Sequence, residues 1–588
     1  MERKKLFRRM DFWIPFLLFS VSFLFKLTVV IENRTFPLIF DEFKYEKMSR
    51  LLLLNGGYHS VQYPLFYPLS LMPAYLFGDN YYVAMKVLNS FYSSFVPAFT
   101  YMICRLYMEE KPSGICAAFS AVIPFQYITP MCLMSENLWF PMLLLAIYLV
   151  LRKHKRELPG DAALGITLGL LFMTRHITLV IIPVFALVWI MKQKDLGKSW
   201  KSILGRGFLI LALLCLAYSP WVYNGIKGGY SLKKIIGFTI ASKTNPEQLT
   251  LSRLAASAGY YLGYFVLITA PVLGLAVKSI RALDIGRSKI FSAYNQLWVM
   301  VCGLAGAIFV AVTRHSWRAY YNYPEFTKIK GRYVIYFTVL FVILGAVVMF
   351  HKNPRFKHRW INIVTTWLLP AGAIALAWLV IVKQAWHPLP DGFIDTYECS
   401  DLRKIYFMGT GFLFVMPFSG WIYQYLYDSR REKYKKYLPA AFAAVLLLTE
   451  LWGSAPYLTT AHTNNEAAKQ TSQRYAIEMA ETLSELYTGK KLYVLAENVP
   501  SEKILLHTPV FYHLDKVVVT TDKEAVKSDS YYVLTDQREK YKDMEKRAVA
   551  SYHWENKEYW MLEVSKNQPS TQGADSLSAE AFLLWKAA

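Results

Sequence analysis

The chain alternates long apolar stretches with short basic clusters. Taking about 20 apolar residues as one membrane crossing, nine stretches each predict a single transmembrane helix: 11–31, 82–105, 205–221, 259–279, 291–312, 332–350, 361–383, 404–427 and 437–456. Two more stretches, 113–151 and 162–191, are too long for one helix. Basic clusters border both, so each is predicted to cross twice, with outer turns near 130–136 and 174–176. The second stretch would form two short helices or a re-entrant pair. The pattern therefore predicts thirteen crossings.

The basic clusters also predict which loops face the cytoplasm. Cytoplasmic loops carry an excess of Lys and Arg, which predicts a cytoplasmic N-terminus and an extracytoplasmic C-terminal segment. The long loops 32–81, 223–258, 314–331 and 384–403 then lie outside. After residue 457 the pattern changes to an amphipathic helix and short strands, predicted at 466–487, 491–496, 517–521, 531–535 and 559–564. We therefore predict an α-helical polytopic membrane domain, 1–456, followed by a small extracytoplasmic α/β domain, 457–588.

Composition supports the membrane prediction and removes one competing class. Of 588 residues, 54% are hydrophobic and 16% aromatic, which is too apolar for a soluble protein of this size. A net charge of +23 would suggest nucleic acid in a soluble chain. Here the positive residues lie in clusters between spans, so we predict a lipid bilayer and no nucleic acid as partner. The six cysteines form neither a disulfide framework nor a metal motif.

The first outer loop opens with two adjacent carboxylates, Asp41 and Glu42. A segment with helical spacing follows, and its apolar face begins at Tyr45. This pattern is typical of a helix that lies in the membrane interface. Carboxylates are costly near lipid, which suggests a cation, a proton transfer or a basic partner. The alternative is that both residues only cap the helix, because carboxylates are favoured in a first turn.

The predicted topology gathers further polar residues at the outer face. They are Glu136, Arg175, His176, Trp221, Asn224, Arg314, His315, Lys328, Lys330 and Arg332. Each has an ordinary alternative. Glu136 could be a helix-start carboxylate, Arg175 and His176 could cap a turn, Trp221 could be an interfacial anchor, and Arg332 could snorkel. Together these carboxylates and cations, close to several tyrosines, suit a cleft that binds phosphate and transfers protons.

Several passages, in this order along the chain, resemble the GT-C glycosyltransferases. They are the acidic pair with its interfacial helix, the passage with Gly57, Tyr58, Tyr63 and Pro64, the pair Ser135 and Glu136, the Arg175 turn, the 219–224 passage, and Gly331, Arg332 and Tyr333. The likeness covers residues 10–350 well and the remainder loosely. Protein O-mannosyltransferases and lipid A aminoarabinose transferases are the nearest relatives that it suggests.

The resemblance implies a membrane hexosyl- or pentosyltransferase. It would move a sugar, with inversion, from a polyprenyl-phosphate donor to an extracytoplasmic glycan, lipid or protein. Asp41 would be the base or its immediate partner, and Glu42 and Glu136 would position the acceptor or bind a divalent cation. The residues expected to bind substrate, with the three arginines on the lipid phosphate, are Tyr45, Tyr58, Arg175, His176, Trp221, Asn224, Arg314, His315, Lys330, Arg332 and Tyr333.

The sequence departs from the family pattern at two positions. His176 stands where relatives often carry Pro, and Val-Tyr precedes Asn224 where many relatives have an Arg beside the Asn. The second departure weakens any phosphate-binding role for that corner. We expect a bacterial cell membrane, although an enzyme of the endoplasmic reticulum would have the same topology.

Two other classes of function compete with the transferase. A transporter or flippase for a lipid-linked polar molecule could line its path with the same charges. Transporters usually show internal repeats and charges at the midplane, whereas this chain shows no repeat and places its charges at one face. An assembly factor, whose outer α/β domain binds cell-wall polymers, is the third possibility. The acidic pair would then be dispensable.

Overall fold

A computed structural model describes most of the first 376 residues and part of the rest. The described residues are 2–32, 40–55, 63–123, 126, 129–154, 157–238, 250–269, 272–286, 289–319, 333–334, 336–352, 359–369, 371–376, 437, 440–441, 443–444, 478–487, 489–497, 516–520, 523–537, 546–554 and 557–565. By its contacts the chain divides into two compact units. One comprises residues 1–34 with 48–462, and the other comprises 35–47 with 463–588.

The larger unit is built of helices. The α-helices that the structure describes in the first 370 residues are α1 (Glu2–Glu32), α2 (Phe40–Asn55), α3 (Phe66–Leu71), α4 (Tyr81–Ser93), α5 (Phe95–Cys104), α6 (Glu110–Val122), α7 (Glu136–Leu151), α8 (Glu157–Thr174), α9 (Thr178–Asp195), α10 (Trp200–Lys227), α11 (Leu232–Ile235), α12 (Leu251–Thr269), α13 (Leu273–Arg281), α14 (Ala293–Ala319), α15 (Phe337–Val347) and α16 (Arg359–Ile363). A 3-10 helix, Met72–Asn80, joins α3 to α4. The helix α2 contributes residues to both units.

Three of the described helices are long and apolar enough to cross a membrane. They are Trp13–Ile31, Trp200–Lys227 and Ala293–Arg318. The surface of α10 carries Leu204, Phe208, Leu211 and Leu216, each more than half exposed. Such a continuous apolar surface belongs against lipid. The protein is therefore a helical membrane protein with a small C-terminal sheet region.

Both predicted helix breaks inside the long apolar stretches are confirmed. The stretch 113–151 contains α6, which ends at Val122, and α7, which begins at Glu136. Of the residues between them, the structure describes 123, 126 and 129–135, with a 3-10 turn at Thr129–Met131 and irregular backbone at 132–135. The stretch 162–191 contains α8 and α9, which meet at residues 175–177. The two breaks place Glu136 at the start of α7 and Arg175 directly after α8.

Two single helices of the prediction are each divided in the structure. The stretch 82–105 forms α4 and α5 on either side of Ser94. Pro97 lacks the N–H that would bond to the carbonyl of Ser93, which explains the interruption. The stretch 259–279 forms α12 and α13, and Pro271 lies in the sequence between them. Helices usually end before the residue that precedes a proline.

Glycines bring α8 and α10 into close contact. A Cβ atom added at Gly165 would lie 2.6 Å from the carbonyl oxygen of Ile210, and one added at Gly169 would lie 2.5 Å from that of Leu214. Small residues allow membrane helices to approach at backbone distance. At the start of α8, Arg206 of α10 donates from Nε to Asp161 Oδ2 at 2.6 Å. The position of α8, and hence of the Arg175 turn, is therefore fixed along its length.

The C-terminal unit contains a mixed five-stranded sheet. Its strands are β1 (Leu492–Ala496), β2 (Val517–Thr520), β3 (Ser530–Thr535), β4 (Lys546–Trp554) and β5 (Lys557–Ser565). Their order is β2-β1-β3-β5-β4, with β1 parallel to β2 and β3, and β5 antiparallel to β3 and β4. A helix at 478–485 packs Met479 and Leu483 against one face of the sheet.

Four of the five strands are confirmed, as is the described part of the helix predicted at 466–487. The prediction missed β4. In β4 the register shifts between Ala548 and Ala550, which interrupts the alternation of side chains on which strand prediction depends. The proposed boundary at residue 457 stays a prediction, because nothing described here tests it.

Candidate active site

A buried ion pair joins the start of α7 to the end of α8. Arg175 Nη1 lies 2.5 Å from Glu136 Oε1, and the two side chains are only 15% and 3% exposed. Ser135 Oγ donates to the other carboxylate oxygen, Oε2, at 3.5 Å. A carboxylate is favoured at a helix N-terminus and a guanidinium at a helix C-terminus. Both local positions thus favour the charges that pair here.

Aromatic rings flank the guanidinium of Arg175. Its central carbon lies 5.3 Å from the ring centroid of Tyr333 and 5.9 Å from that of Trp139. Trp139 is itself fixed, because its Nε1 donates to Thr178 Oγ1 at 2.9 Å. The Thr178 hydroxyl donates onward to the carbonyl of Leu171 at 2.9 Å. Arg175 therefore lies between a carboxylate and two π faces, all of which favour its positive charge.

Tyr333 also links this site to α14. The ring of His315 lies 6.0 Å from that of Tyr333, at an interplanar angle of 73°. Both Arg314 and His315 are exposed near the end of α14. Glu136, Arg175, Tyr333 and His315 thus form one continuous group, and their predicted roles at the outer face stay predictions.

A second group lies around Trp221. The ring of His176 is 6.0 Å from that of Trp221, and Trp221 Nε1 donates to the carbonyl of Ile235 at 2.9 Å. Tyr218 donates its hydroxyl to the same carbonyl at 3.1 Å. Trp221 is fully buried, which excludes the alternative of a lipid-facing interfacial anchor. Its N–H holds the end of α11 through the carbonyl of Ile235, and its predicted role in binding substrate stays a prediction.

The end of α10 holds the last predicted residue of this corner. Asn224 is 8% exposed in the final turn of the helix, and its carbonyl accepts from the N–H of Gly228. One turn of helix separates it from Trp221. Its predicted role in binding substrate stays a prediction.

The acidic pair lies in the first turn of α2, where the sequence placed it. Asp41 is half-buried, whereas Glu42 is only 2% exposed. Tyr45 is also buried, as is Glu46 one turn after Glu42. By contrast, the exposed side chains of α2 include Leu53 and Leu54. Within α2 the carboxylates of Glu42 and Glu46 are therefore more buried than these leucines, and the interfacial position of the helix stays a prediction.

Three predicted residues, Tyr58, Lys330 and Arg332, lie outside the described residues, as does Lys328. The sequence analysis also missed one contributor, Trp139, which flanks Arg175. Trp139 follows Glu136 by three residues and so shares its helix face, a spacing that could have identified it.

The described residues do not fit a divalent cation at Glu136. In that part of the chain, no group of three His, Cys, Asp or Glu side chains could hold a metal ion. The carboxylate of Glu136 is moreover engaged by a guanidinium at 2.5 Å. A second cation at this oxygen would be repelled. We therefore derive no step through a metal ion at Glu136.

Known structures share this fold. The chain is similar to ArnT from Cupriavidus metallidurans in the apo state, with a TM-score of 0.54 and 12% identity over 95% of this chain and 99% of that one. For ArnT of the same organism bound to undecaprenyl phosphate, the TM-score is 0.51 and the identity 13%, over 94% and 99% of the two chains. The protein therefore has the fold of these ArnT structures, over nearly the whole of both chains.

One curated sequence relative points the same way. It is undecaprenyl phosphate-alpha-4-amino-4-deoxy-L-arabinose arabinosyl transferase 2 of Pseudomonas fluorescens (strain Pf0-1), 26% identical over 205 residues. The match covers 31% of this chain and about a third (35%) of the relative's length. A comparison with models of protein families finds no match.

Proposed function

We propose that the protein is a membrane glycosyltransferase that moves a sugar from a polyprenyl-phosphate donor to an extracytoplasmic acceptor. The observation that carries this proposal is the buried pair of Glu136 and Arg175. It places a carboxylate and a guanidinium at two helix ends, within a fold similar to that of ArnT. The relative's name specifies an undecaprenyl-phosphate-linked aminoarabinose, which supports the donor class.

The proposed reaction is a direct substitution at the anomeric carbon, with inversion. The acceptor hydroxyl oxygen forms the new bond while the bond between sugar and phosphate breaks, and polyprenyl phosphate leaves with the electron pair. The hydroxyl proton passes to a carboxylate, and by resemblance this base is Asp41 or its immediate partner. Negative charge grows on the departing phosphate, so a positioned cation lowers the barrier.

Arg175 suits the phosphate role. A guanidinium carries five N–H donors in a planar fork, which matches phosphate and carboxylate geometry. Glu136 fixes one edge of the fork, and Trp139 and Tyr333 limit its rotation. In this proposal Glu136 orients Arg175 and helps to position the acceptor. His315 and Arg314, exposed beside Tyr333, would contact the polar part of the donor.

The finer features of the protein are proposals of the same kind. We propose thirteen crossings, a cytoplasmic N-terminus and an extracytoplasmic C-terminal domain in a bacterial cell membrane, because the basic clusters fit that scheme. A pentose donor is the first to test, since the sequence relative is named for an arabinose. A hexose donor is the alternative. The acceptor would be an envelope lipid, glycan or protein.

The test is transfer of radiolabelled sugar from a panel of polyprenyl-phosphate donors by the full chain in nanodiscs, with crude envelope lipids and glycans as acceptors. Transfer is expected with at least one donor, and Asp41→Asn and Glu136→Gln should each abolish most of it. Asp195→Asn is the matched control. Asp195 lies at the end of α9 that is remote from Arg175, and its carboxylate pairs with an exposed lysine. This variant should transfer sugar normally.

The result that refutes the proposal is equally specific. The wild-type protein would bind donor lipid without turning it over, and Asp41→Asn would complement a deletion strain normally. Transport of a lipid-linked molecule would then become the leading account, since it needs binding but no base.

A further inference from the structure

Irregular backbone inside a membrane bundle leaves carbonyl groups that need hydrogen-bond donors. Between α6 and α7 the described residues form no continuous helix: Gln126 is helical, Thr129–Met131 form a 3-10 turn, and 132–135 are irregular up to Glu136. We call residues 126 and 129–135 the irregular segment. Two buried amides supply donors to it. Asn137 Nδ2 lies 3.0 Å from the carbonyl of Thr129, 3.2 Å from that of Cys132 and 3.1 Å from that of Met134.

The second amide reaches the same segment from α4. Asn89 Nδ2 donates to the carbonyl of Cys132 at 2.9 Å, and the hydroxyl of Tyr67 donates to Asn89 Oδ1 at 2.9 Å. A carbonyl can only accept, so the nitrogen of Asn89 must face Cys132. Asn89 and Tyr67 are both fully buried. The orientation of this amide is therefore fixed by chemistry on both sides.

Upstream, α1 holds the segment through a lysine inside its apolar span. Lys26 Nζ donates to Gln126 Oε1 at 2.9 Å and to Ser93 Oγ at 3.0 Å. Lys26 is only 1% exposed, and Gln126 is equally buried. A lysine here could instead have snorkelled to the interface. Turned inward, it ties α1, α4 and the irregular segment together.

We propose that Lys26, Asn89 and Asn137 are positioning residues that fix the irregular segment and thereby set the Glu136 carboxylate against Arg175. The inference rests on the proposed function only where it assigns Glu136 to the transfer site. The three residues contact the segment and not the reacting groups. A shift of about 1 Å in a site can cost about a hundredfold in rate, so the effect of loosening this segment should be large.

The first test compares two asparagine clamps. Asn89→Asp keeps the side-chain shape but turns an acceptor toward the Cys132 carbonyl. Asn295→Asp is the matched control, because Asn295 Nδ2 likewise holds an irregular loop through the carbonyls of Asp284 and Ile290, at 2.9 and 3.0 Å. Asn89→Asp should lower kcat by about tenfold or more, with the KM for donor little changed. Asn295→Asp should leave both constants close to wild type.

The second test needs no activity. The melting temperature is measured for Asn89→Asp and Asn295→Asp in two backgrounds, wild type and the Glu136→Gln, Arg175→Gln double variant. If Asn89 positions the ion pair, its loss costs less once the pair is absent, whereas the cost of Asn295→Asp stays the same. An equal loss for Asn89→Asp in both backgrounds overturns the inference.

The two readouts separate this inference from the proposed function. Coupling in the melting data without any sugar transfer by the wild type leaves the positioning role standing and refutes the transferase. Sugar transfer by the wild type without coupling in the melting data supports the transferase and refutes the positioning role. Should Asn89→Asp fail to fold, Asn89→Ser removes the same donor without adding a carboxylate, and Lys26→Met releases Gln126 from the other side.

Discussion

The ion pair between Glu136 and Arg175 predicts a strong energetic coupling. Its nitrogen and oxygen are 2.5 Å apart and both side chains are largely buried. Because each charge is delocalised, the charge centres are about 4 Å apart, and at an effective dielectric constant of about 20 they attract by about 4 kcal/mol. Removing one partner strands the other, which typically costs about 3–5 kcal/mol.

A double-mutant cycle measures this coupling. The variants are Glu136→Gln, Arg175→Gln and the combination of both, and the free energy of unfolding is obtained by titrating dodecylmaltoside micelles with SDS. We expect each single variant to lose about 3–5 kcal/mol. The combined variant should lose clearly less than their sum, because it leaves no unpaired charge. A coupling energy of about 2–4 kcal/mol would follow from the attraction less part of the desolvation cost.

A second ion pair of the same protein calibrates the result. Lys153 Nζ lies 3.1 Å from Asp195 Oδ2, but the lysine side chain is 61% exposed. Exposed pairs contribute about 0–1 kcal/mol, so the cycle through Lys153→Gln and Asp195→Asn should show little coupling. The reasoning fails if the Glu136 cycle gives a coupling as small as this surface pair. The geometry would then hold two side chains together without contributing to stability.

Two further predictions concern the surroundings of the site. Gly237→Ala should be more destabilising than Gly229→Ala in the same SDS titration. Both glycines have positive φ, 84° and 75°, and an alanine in that conformation costs about 1–3 kcal/mol. Only at Gly237 would the new Cβ also lie 2.8 Å from His176. Equal losses would contradict the contact with His176. Asp284→Asn should flatten the loss of stability below about pH 4. Burial raises the pKa of Asp284, but hydrogen bonds from Lys352 and Ser292 and the nearby lysine charges lower it by more, to below its usual value. The carboxylate therefore stabilises the fold above its unfolded pKa, and this stability is lost as the pH falls through the folded pKa. If the stability of Asp284→Asn fell below about pH 4 as steeply as that of the wild type, this role of the Asp284 carboxylate would be contradicted.

The sequence identified both members of the ion pair but not their pairing. The predicted topology gathers Glu136 and Arg175 with other polar residues at one face, and the two helix breaks followed from the length of the apolar stretches. Which charge meets which depends on how α7 packs beside α8. That packing is set by tertiary contacts such as those of Gly165 and Gly169, and no local pattern reports them.

Side chains that turn inward were the hardest to predict. Lys26 lies near the C-terminal end of α1, where a long side chain can equally reach the interface. Trp221 has the same ambiguity, because tryptophan is common at membrane surfaces. In both cases the sequence gives the cost of a polar group in the span, while only the structure shows the acceptor that offsets it: Gln126 for the amine and the carbonyl of Ile235 for the indole.

The two helix breaks explain why polar groups collect at this place in an apolar bundle. Where helices stop inside a packed bundle, carbonyls need donors and N–H groups need acceptors whether or not a reaction occurs. Asn89 and Asn137 meet that need at the first break. Glu136 begins the helix that follows this break, and Arg175 lies at the second break, directly after α8. Once these groups are present, a charged substrate head enters surroundings that are already polar and already held in place. Such preorganisation is what a phosphate leaving group requires, so the same contacts that stabilise the breaks also suit them to the proposed chemistry.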